Sequence, residues 1–198
     1  LAALARAAEL RLSDFNVQAL ANNGWAFATA SQQATQLFAA LARAAELRLS
    51  DFSVQALANT AWAFAMAAQS DAELFTALAR AARWYVGDFN AQDLANTAWA
   101  FATLGQSDVK LFAALGRAAT WCIGDFNVQG LANTALAFAT ASSCDAQVFA
   151  ALARAAKMLL GDFMAQDLAN TAWAFATVRH VDGRLFAALA GATESHLG

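Results

Sequence analysis

The chain has no proline, one tyrosine and only ten glycines in 198 residues. With so few residues that stop a helix, and with alanine and leucine abundant, helix is favoured on propensity alone. Charge is sparse as well, at 14% of residues with a net of −3. No apolar run is long enough to span a bilayer. The longest uncharged stretch, residues 15–42, is interrupted by Asn16, Gln18, Asn22, Asn23, Gln32, Gln33 and Gln36, whereas a span needs about 20 mostly apolar residues. Two cysteines, Cys122 and Cys144, form neither a disulfide framework nor a zinc pattern. Two histidines, His180 and His196, stand near the C-terminal end and read as surface residues, not ligands. There is no nucleophile with a base, no glycine-rich phosphate loop and no purposeful carboxylate pair. The expectation is a non-enzyme without cofactor, metal or small-molecule ligand.

What the sequence has instead is a repeat. Asp-Phe recurs at Asp14-Phe15, Asp51-Phe52, Asp88-Phe89, Asp125-Phe126 and Asp162-Phe163, each step being 37 residues. The string LANTAWAFA is identical at 57–65, 94–102 and 168–176, with close variants at 20–28 and 131–139. The repeats are 14–50, 51–87, 88–124, 125–161 and 162–198, preceded by a partial repeat at 1–13. Residues 1–13 look like the back half of a helix without an initiating methionine, so the chain is expected to be an excerpt of a longer array.

Each repeat reads as two helices. Helix B follows Asp-Phe. In the third repeat Asn90 is a good N-cap, Asp93 stands three residues on as its capping-box partner, and Phe89 can staple onto Leu94. Helix A opens at an aspartate, Asp71, Asp108, Asp145 or Asp182, and carries an apolar stripe such as Leu111, Phe112, Leu115, Ala118 and Ala119. Gly87, Gly124 and Gly161 read as left-handed caps ending helix A. Such a helical pair cannot bury its apolar faces alone, so neighbours must stack. The expected fold is all-α: a right-handed α-α superhelix of 37-residue helix–turn–helix repeats, with eleven helices and no strands. Neighbouring A helices lying parallel would hold Cys122 and Cys144 too far apart to bond.

Nine of the fifteen acidic residues sit at helix N-termini, where the helix dipole favours them. Net charge therefore understates the polar face of helix A. One column there is Arg6, Arg43, Arg80, Arg117 and Arg154, broken by Gly191. A second is Gln36, Glu73, Lys110, Gln147 and Arg184. A third is Glu9, Glu46, Arg83, Thr120, Lys157 and Glu194. The face sums to about +5, nine cations against four anions. A constant arginine per repeat suits a repeating phosphate. The variable residues Gln36, Glu73, Lys110, Gln147, Arg184, Arg83 and Lys157 suit base edges. The alternative is a solvated face with weak pairs such as Arg43 with Glu46. On helix B an asparagine column, Asn22, Asn59, Asn96, Asn133 and Asn170, follows a glutamine column one turn earlier, and is expected to hydrogen-bond in a ladder between repeats or to the turn. Trp25, Trp62, Trp99 and Trp173 are expected in the core. Trp84 and Trp121 are expected to pack under the next repeat, or else to stack on a base.

The helix B string at 89–102, followed by Thr103-Leu104-Gly105, resembles the signature of octotricopeptide and heptatricopeptide repeats. It is also similar to the helical repeats of RAP-domain and FASTK-type proteins and of kinetoplastid RNA-editing substrate-binding proteins. The octotricopeptide unit has 38 residues and usually a proline before the glutamine; here that place holds Val17, Val54, Ala91, Val128 or Ala165, and the proline-rich PPPEW-like segment is absent. The resemblance covers the whole chain. It implies sequence-specific binding of single-stranded RNA in a chloroplast or mitochondrion. A protein-binding solenoid of armadillo or TPR character, with protein partners, is the alternative.

Overall fold

A computed structural model describes residues 6–8, 10–30, 35–180 and 182–195. Ten helices alternate B, A, B, A along them. The B helices are α1 (Val17–Thr29), α3 (Val54–Met66), α5 (Ala91–Thr103), α7 (Val128–Thr140) and α9 (Ala165–Thr177). The A helices are α2 (Thr35–Glu46), α4 (Ala72–Tyr85), α6 (Val109–Trp121), α8 (Ala146–Leu159) and α10 (Gly183–Ser195). The eleventh expected helix falls mostly outside the described residues, though residues 6–8 are helical. No strand occurs among the described residues. The molecule is an all-α solenoid in which each helix packs on its counterpart in the next repeat.

Capping chemistry fixes where helices begin. Asn16, Ser53, Asn90 and Asn127 each accept a hydrogen bond from the backbone N–H three residues on, at the start of a B helix. Asn90 and Asp93 form the reciprocal capping box. Asp71, Asp108, Asp145 and Asp182 cap the A helices in the same way. Met164 stands where the other B helices have a capping side chain and supplies none.

The helix ends depart from the sequence reading. The left-handed residue closes helix B, not helix A. It is Ala68 (φ 51°), Gly105 (φ 68°), Ser142 (φ 56°) and Arg179 (φ 55°). Each sits in a Schellman motif: Gln69 N–H donates to the Phe64 carbonyl at 2.9 Å and Ala68 N–H to that of Ala65 at 3.0 Å. Gly87, Gly124 and Gly161 lie instead in short 3-10 turns, Val86–Asp88, Ile123–Asp125 and Leu160–Asp162. These turns keep ordinary right-handed backbone, which is why Ser50 serves as well in the first repeat.

The core lies between repeats. Phe38, Phe75, Phe112 and Phe149 of the A helices meet Phe64, Phe101, Phe138 and Phe175 of the following B helices edge to face, with centroids 4.9–5.3 Å apart. The B helices pack on one another through buried alanines such as Ala61, Ala63, Ala98, Ala100, Ala135 and Ala137. Small side chains let their backbones come close, whereas neighbouring A helices are held off by larger residues. The B layer is therefore the tighter, inner side of the stack and the A layer its outer side.

Cys122 and Cys144 are free thiols. His180 rests against Phe149 and Phe175; His196 lies outside the described residues. No group of three metal-ligating side chains occurs among the described residues, and no described helix is long and apolar enough to cross a membrane.

Two glycines test this packing in opposite directions. A Cβ at Gly116 would lie 2.8 Å from Val148 Cγ2. Elsewhere in the chain the glycine's place is alanine and the valine's is leucine: Ala42 with Leu74, Ala79 with Leu111, Ala153 with Leu185. The β-branched methyl of Val148 fills the space that the alanine Cβ would need. We expect Gly116→Ala to cost about 1–3 kcal/mol, and Val148→Leu in the same chain to recover most of that loss, read from urea midpoints. At Gly24 a Cβ would meet Ala63 Cβ at 3.4 Å, ordinary contact, so Gly24→Ala should stabilise by about 1 kcal/mol. Met164→Asn, restoring the missing cap, should add about 1 kcal/mol; an unchanged midpoint would show that the α9 end is set by its neighbours instead.

Candidate nucleic-acid interface

On the outer layer the arginine column is exposed throughout: Arg6, Arg43, Arg80, Arg117 and Arg154. Among the described residues Arg43, Arg80, Arg117 and Arg154 make no ion pair. They are not held against the aspartates of the turns. Gln36, Glu73, Lys110, Gln147 and Arg184 are also exposed, in the first turn of helix A.

Arg83 and Lys157 stand apart from that group. Arg83 Nη1 bonds Asp108 Oδ2 at 2.9 Å, and Lys157 Nζ bonds Asp182 Oδ2 at 2.8 Å. Each reaches the N-cap aspartate of the next repeat's A helix, so these two cations join repeats. The Lys157 ammonium and the Leu185 N–H hold the Asp182 carboxyl below its ordinary value. At the first junction the same place is Glu46. Its carboxyl is pushed up by desolvation and then by the negative charges of Asp71 and Glu73, with Arg43 opposing. At the third junction Thr120 occupies the place and turns its hydroxyl to the Gly116 carbonyl.

One column that sequence reasoning did not assemble lies beside the arginines. Leu10, Leu47, Trp84, Trp121 and Met158 each follow an arginine by four residues and are all strongly exposed. Trp84 and Trp121, expected under the next repeat, are 83% and 93% exposed. The last turn of helix A projects past the point where the following repeat covers it, and only its opposite face, such as Ala82 and Ala119, is buried. The i, i+4 spacing from Arg to a large apolar residue was visible and would have found the column.

The inner layer also corrects the sequence reading. Trp25 and Trp173 are each 49% exposed, and Trp62 and Trp99 are half-buried, so the tryptophans are not core. Their rings form a ladder, with centroids 6.4 Å apart from Trp25 to Trp62 and again from Trp62 to Trp99. The central B helices α3, α5 and α7 bury most of their circumference between neighbours and leave one narrow stripe free. Glutamine, asparagine and tryptophan share it at i, i+4 and i+7. The asparagine ladder between repeats is absent. Only Gln18 and Asn22 bond, within α1, at 3.1 Å. Asn59, Asn96, Asn133 and Asn170 make no side-chain hydrogen bond to any described residue. A cavity of about 720 Å³ on this side is lined by Trp25, Asn59, Trp62, Gln92, Asn96 and Gln129 among others.

These features define a class: an α-solenoid of helical-hairpin repeats with arginines along its outer face and no lysine or arginine lining its inner groove. A binding surface repeated at each step is the mark of repeat proteins that engage elongated ligands. The chain belongs to the RNA-editing substrate-binding complex 6 protein family, whose model matches residues 3–183. No curated protein matches it.

Glu46 gives the electrostatic test. Its folded carboxyl titrates above the ordinary value, so its negative charge destabilises the fold above that raised value, and the penalty fades as pH falls through it toward the unfolded one. Glu46→Gln should be more stable than the parent at neutral pH, with the gap closing as the solution is acidified. Glu46→Lys should add a junction pair like Lys157–Asp182, worth about 0.5–1 kcal/mol in low salt and less in high salt. Equal melting of parent and both variants at every pH would remove this role.

Proposed function

We propose that this array is a single-stranded RNA-binding scaffold acting in RNA editing in the mitochondrion. The family name and the resemblance to RNA-editing substrate-binding repeats support that setting; nothing comparable supports a chloroplast. The role is one of binding, not catalysis, and it is exercised within a complex that includes protein partners.

The observation that carries the reading is the pairing on the outer face of an exposed arginine with a large exposed side chain one turn on, in successive repeats. Single-strand binders combine cations that track the phosphates with platforms on which bases stack. Arg43, Arg80, Arg117 and Arg154 supply the first, and Trp84 and Trp121 the second. Lys110, Gln147 and Arg184 stand in the first turn of helix A on the same side, where they can discriminate base edges. Arg83 and Lys157 are better read as junction residues because their head groups are already paired.

Binding to a pool of random single-stranded RNA at several salt concentrations tests this. Arg80→Ala with Arg117→Ala should weaken all sequences alike and flatten the logarithmic salt slope by about 0.7 per lost contact. Trp84→Ala should weaken binding by about 1–3 kcal/mol with the slope unchanged. Lys110→Ala or Gln147→Ala should shift the preferred sequence. RNA binding with an unaltered slope in the double arginine variant would place the RNA elsewhere.

A further inference from the structure

We propose that the inner face of the B helices is a second binding site, for an extended basic polypeptide segment gripped by its main chain. Four asparagines, Asn59, Asn96, Asn133 and Asn170, sit inside helices where asparagine is a poor former, costing roughly 0.5 kcal/mol each against alanine. None makes a side-chain hydrogen bond with a described residue. They stand half-buried in the same stripe as an invariant glutamine, and Asn59, Asn96 and Asn133 line one groove with Gln92, Gln129 and Trp62. No intramolecular hydrogen bond to a described residue explains them, which leaves their carboxamides available to a partner outside the chain.

The groove's chemistry selects that partner. Its lining holds no lysine or arginine, and Asp125 is its one charged residue. A phosphate backbone would find no counter-charge there, which separates this face from the outer one. A carboxamide offers two donors and an acceptor, the complement of a peptide unit's carbonyl and N–H. The spacing agrees with a polypeptide as well. The indole ladder advances 6.4 Å per repeat, and an extended strand advances about 6.4–6.8 Å per two residues. Over the three repeats that the ladder joins, the step of one repeat matches one dipeptide. Alternate side chains of such a strand point the same way, so those facing the protein would enter the spaces beside the indoles. There a lysine or arginine stem packs on the ring and its charge meets the ring face. Asp51, Asp88 and Asp162 are exposed at the place Asp125 holds in its repeat, which adds to the preference for a basic segment. Leu136 replaces the indole in the fourth repeat, where the preference for a cationic side chain should be weakest.

The test uses three fluorescent probes on the whole chain, read by anisotropy: an alternating Lys-Thr peptide of about ten residues, its Glu-Thr counterpart, and single-stranded oligouridine. The Lys-Thr peptide should bind and the Glu-Thr peptide should not. Asn59→Ala, Asn96→Ala and Asn133→Ala together should weaken the Lys-Thr peptide about tenfold or more and leave oligouridine unchanged. Alanine favours helix, so the variant should fold, and its circular dichroism checks this. N-methylation of alternate residues of the Lys-Thr peptide, which removes main-chain donors and keeps the charge, should abolish binding in one of the two registers. Arg80→Ala with Arg117→Ala should leave peptide binding intact. The proposal is overturned if neither peptide binds, if the asparagine variant or N-methylation in both registers has no effect, or if oligouridine competes with the peptide and is itself lost in the asparagine variant. That last outcome would put RNA in the groove. Failure of oligouridine to bind at all would count against the outer-face reading alone.

Discussion

The edge-to-face contact between an A-helix phenylalanine and the B-helix phenylalanine of the next repeat is the interaction on which this solenoid depends. It occurs at four junctions with nearly constant geometry. Because the pair is made across a junction, a single repeat has no core of its own. Both phenylalanines recur every 37 residues, so each junction repeats the same contact. The alanines of helix B serve the same constraint from the other side, keeping backbones close enough for the rings to meet. With helix B clasped by a neighbour on either side and by helix A behind it, only one stripe remains to face outward. Whatever the inner surface recognises must be written on that stripe.

Repeat length, helix order, N-caps and phenylalanine core were all legible in the sequence, because each rests on a residue type with one strong local meaning. Asn90 and Asp108 could cap little else, and a phenylalanine recurring at helical spacing among leucines is core. Orientation was not legible for helix B. In a segment such as LANTAWAFA, alanine satisfies both core and surface, so the apolar stripe is nearly continuous around the helix and hydrophobicity cannot say which side is out. Tryptophan was assigned inward by its apolarity, although it shares a face with two carboxamides. The left-handed residue of helix B was hidden for a related reason. Its place holds alanine, glycine, serine or arginine, because the Schellman hydrogen bonds, not the residue, enforce the conformation. On helix A the exposed apolar column was missed because position in the last turn, beyond the reach of the next repeat, decides exposure there.

Charge divides the two layers. Unpaired arginines gather on the outer helices, while the inner stripe carries none. Cations one turn nearer the junction are consumed in holding repeats together, and they do so unevenly. The junction of the second and third repeats and that of the fourth and fifth have an ion pair. The third junction is neutral, and the first sets Glu46 against Asp71 and Glu73. Stability in such an array is a sum of nearest-neighbour terms, so the outer face is presented on a frame whose joints differ in their electrostatic contribution.

The exchange of Ala and Leu for Gly116 and Val148 shows how far each repeat is fitted to its neighbour. Those two residues belong to different repeats, and the glycine leaves the room that the Val148 methyl takes; the phenylalanine pairs and the cation–aspartate pairs also cross between repeats. A repeat copied or transplanted from Asp to Asp would carry half of two locks and match neither neighbour. A segment cut from the middle of one hairpin to the middle of the next would keep the phenylalanine pair whole, but Gly116 with Val148 and Arg83 with Asp108 join successive A helices and are divided by any single-repeat cut. A segment moved between arrays must therefore carry two successive A helices to keep one such junction whole.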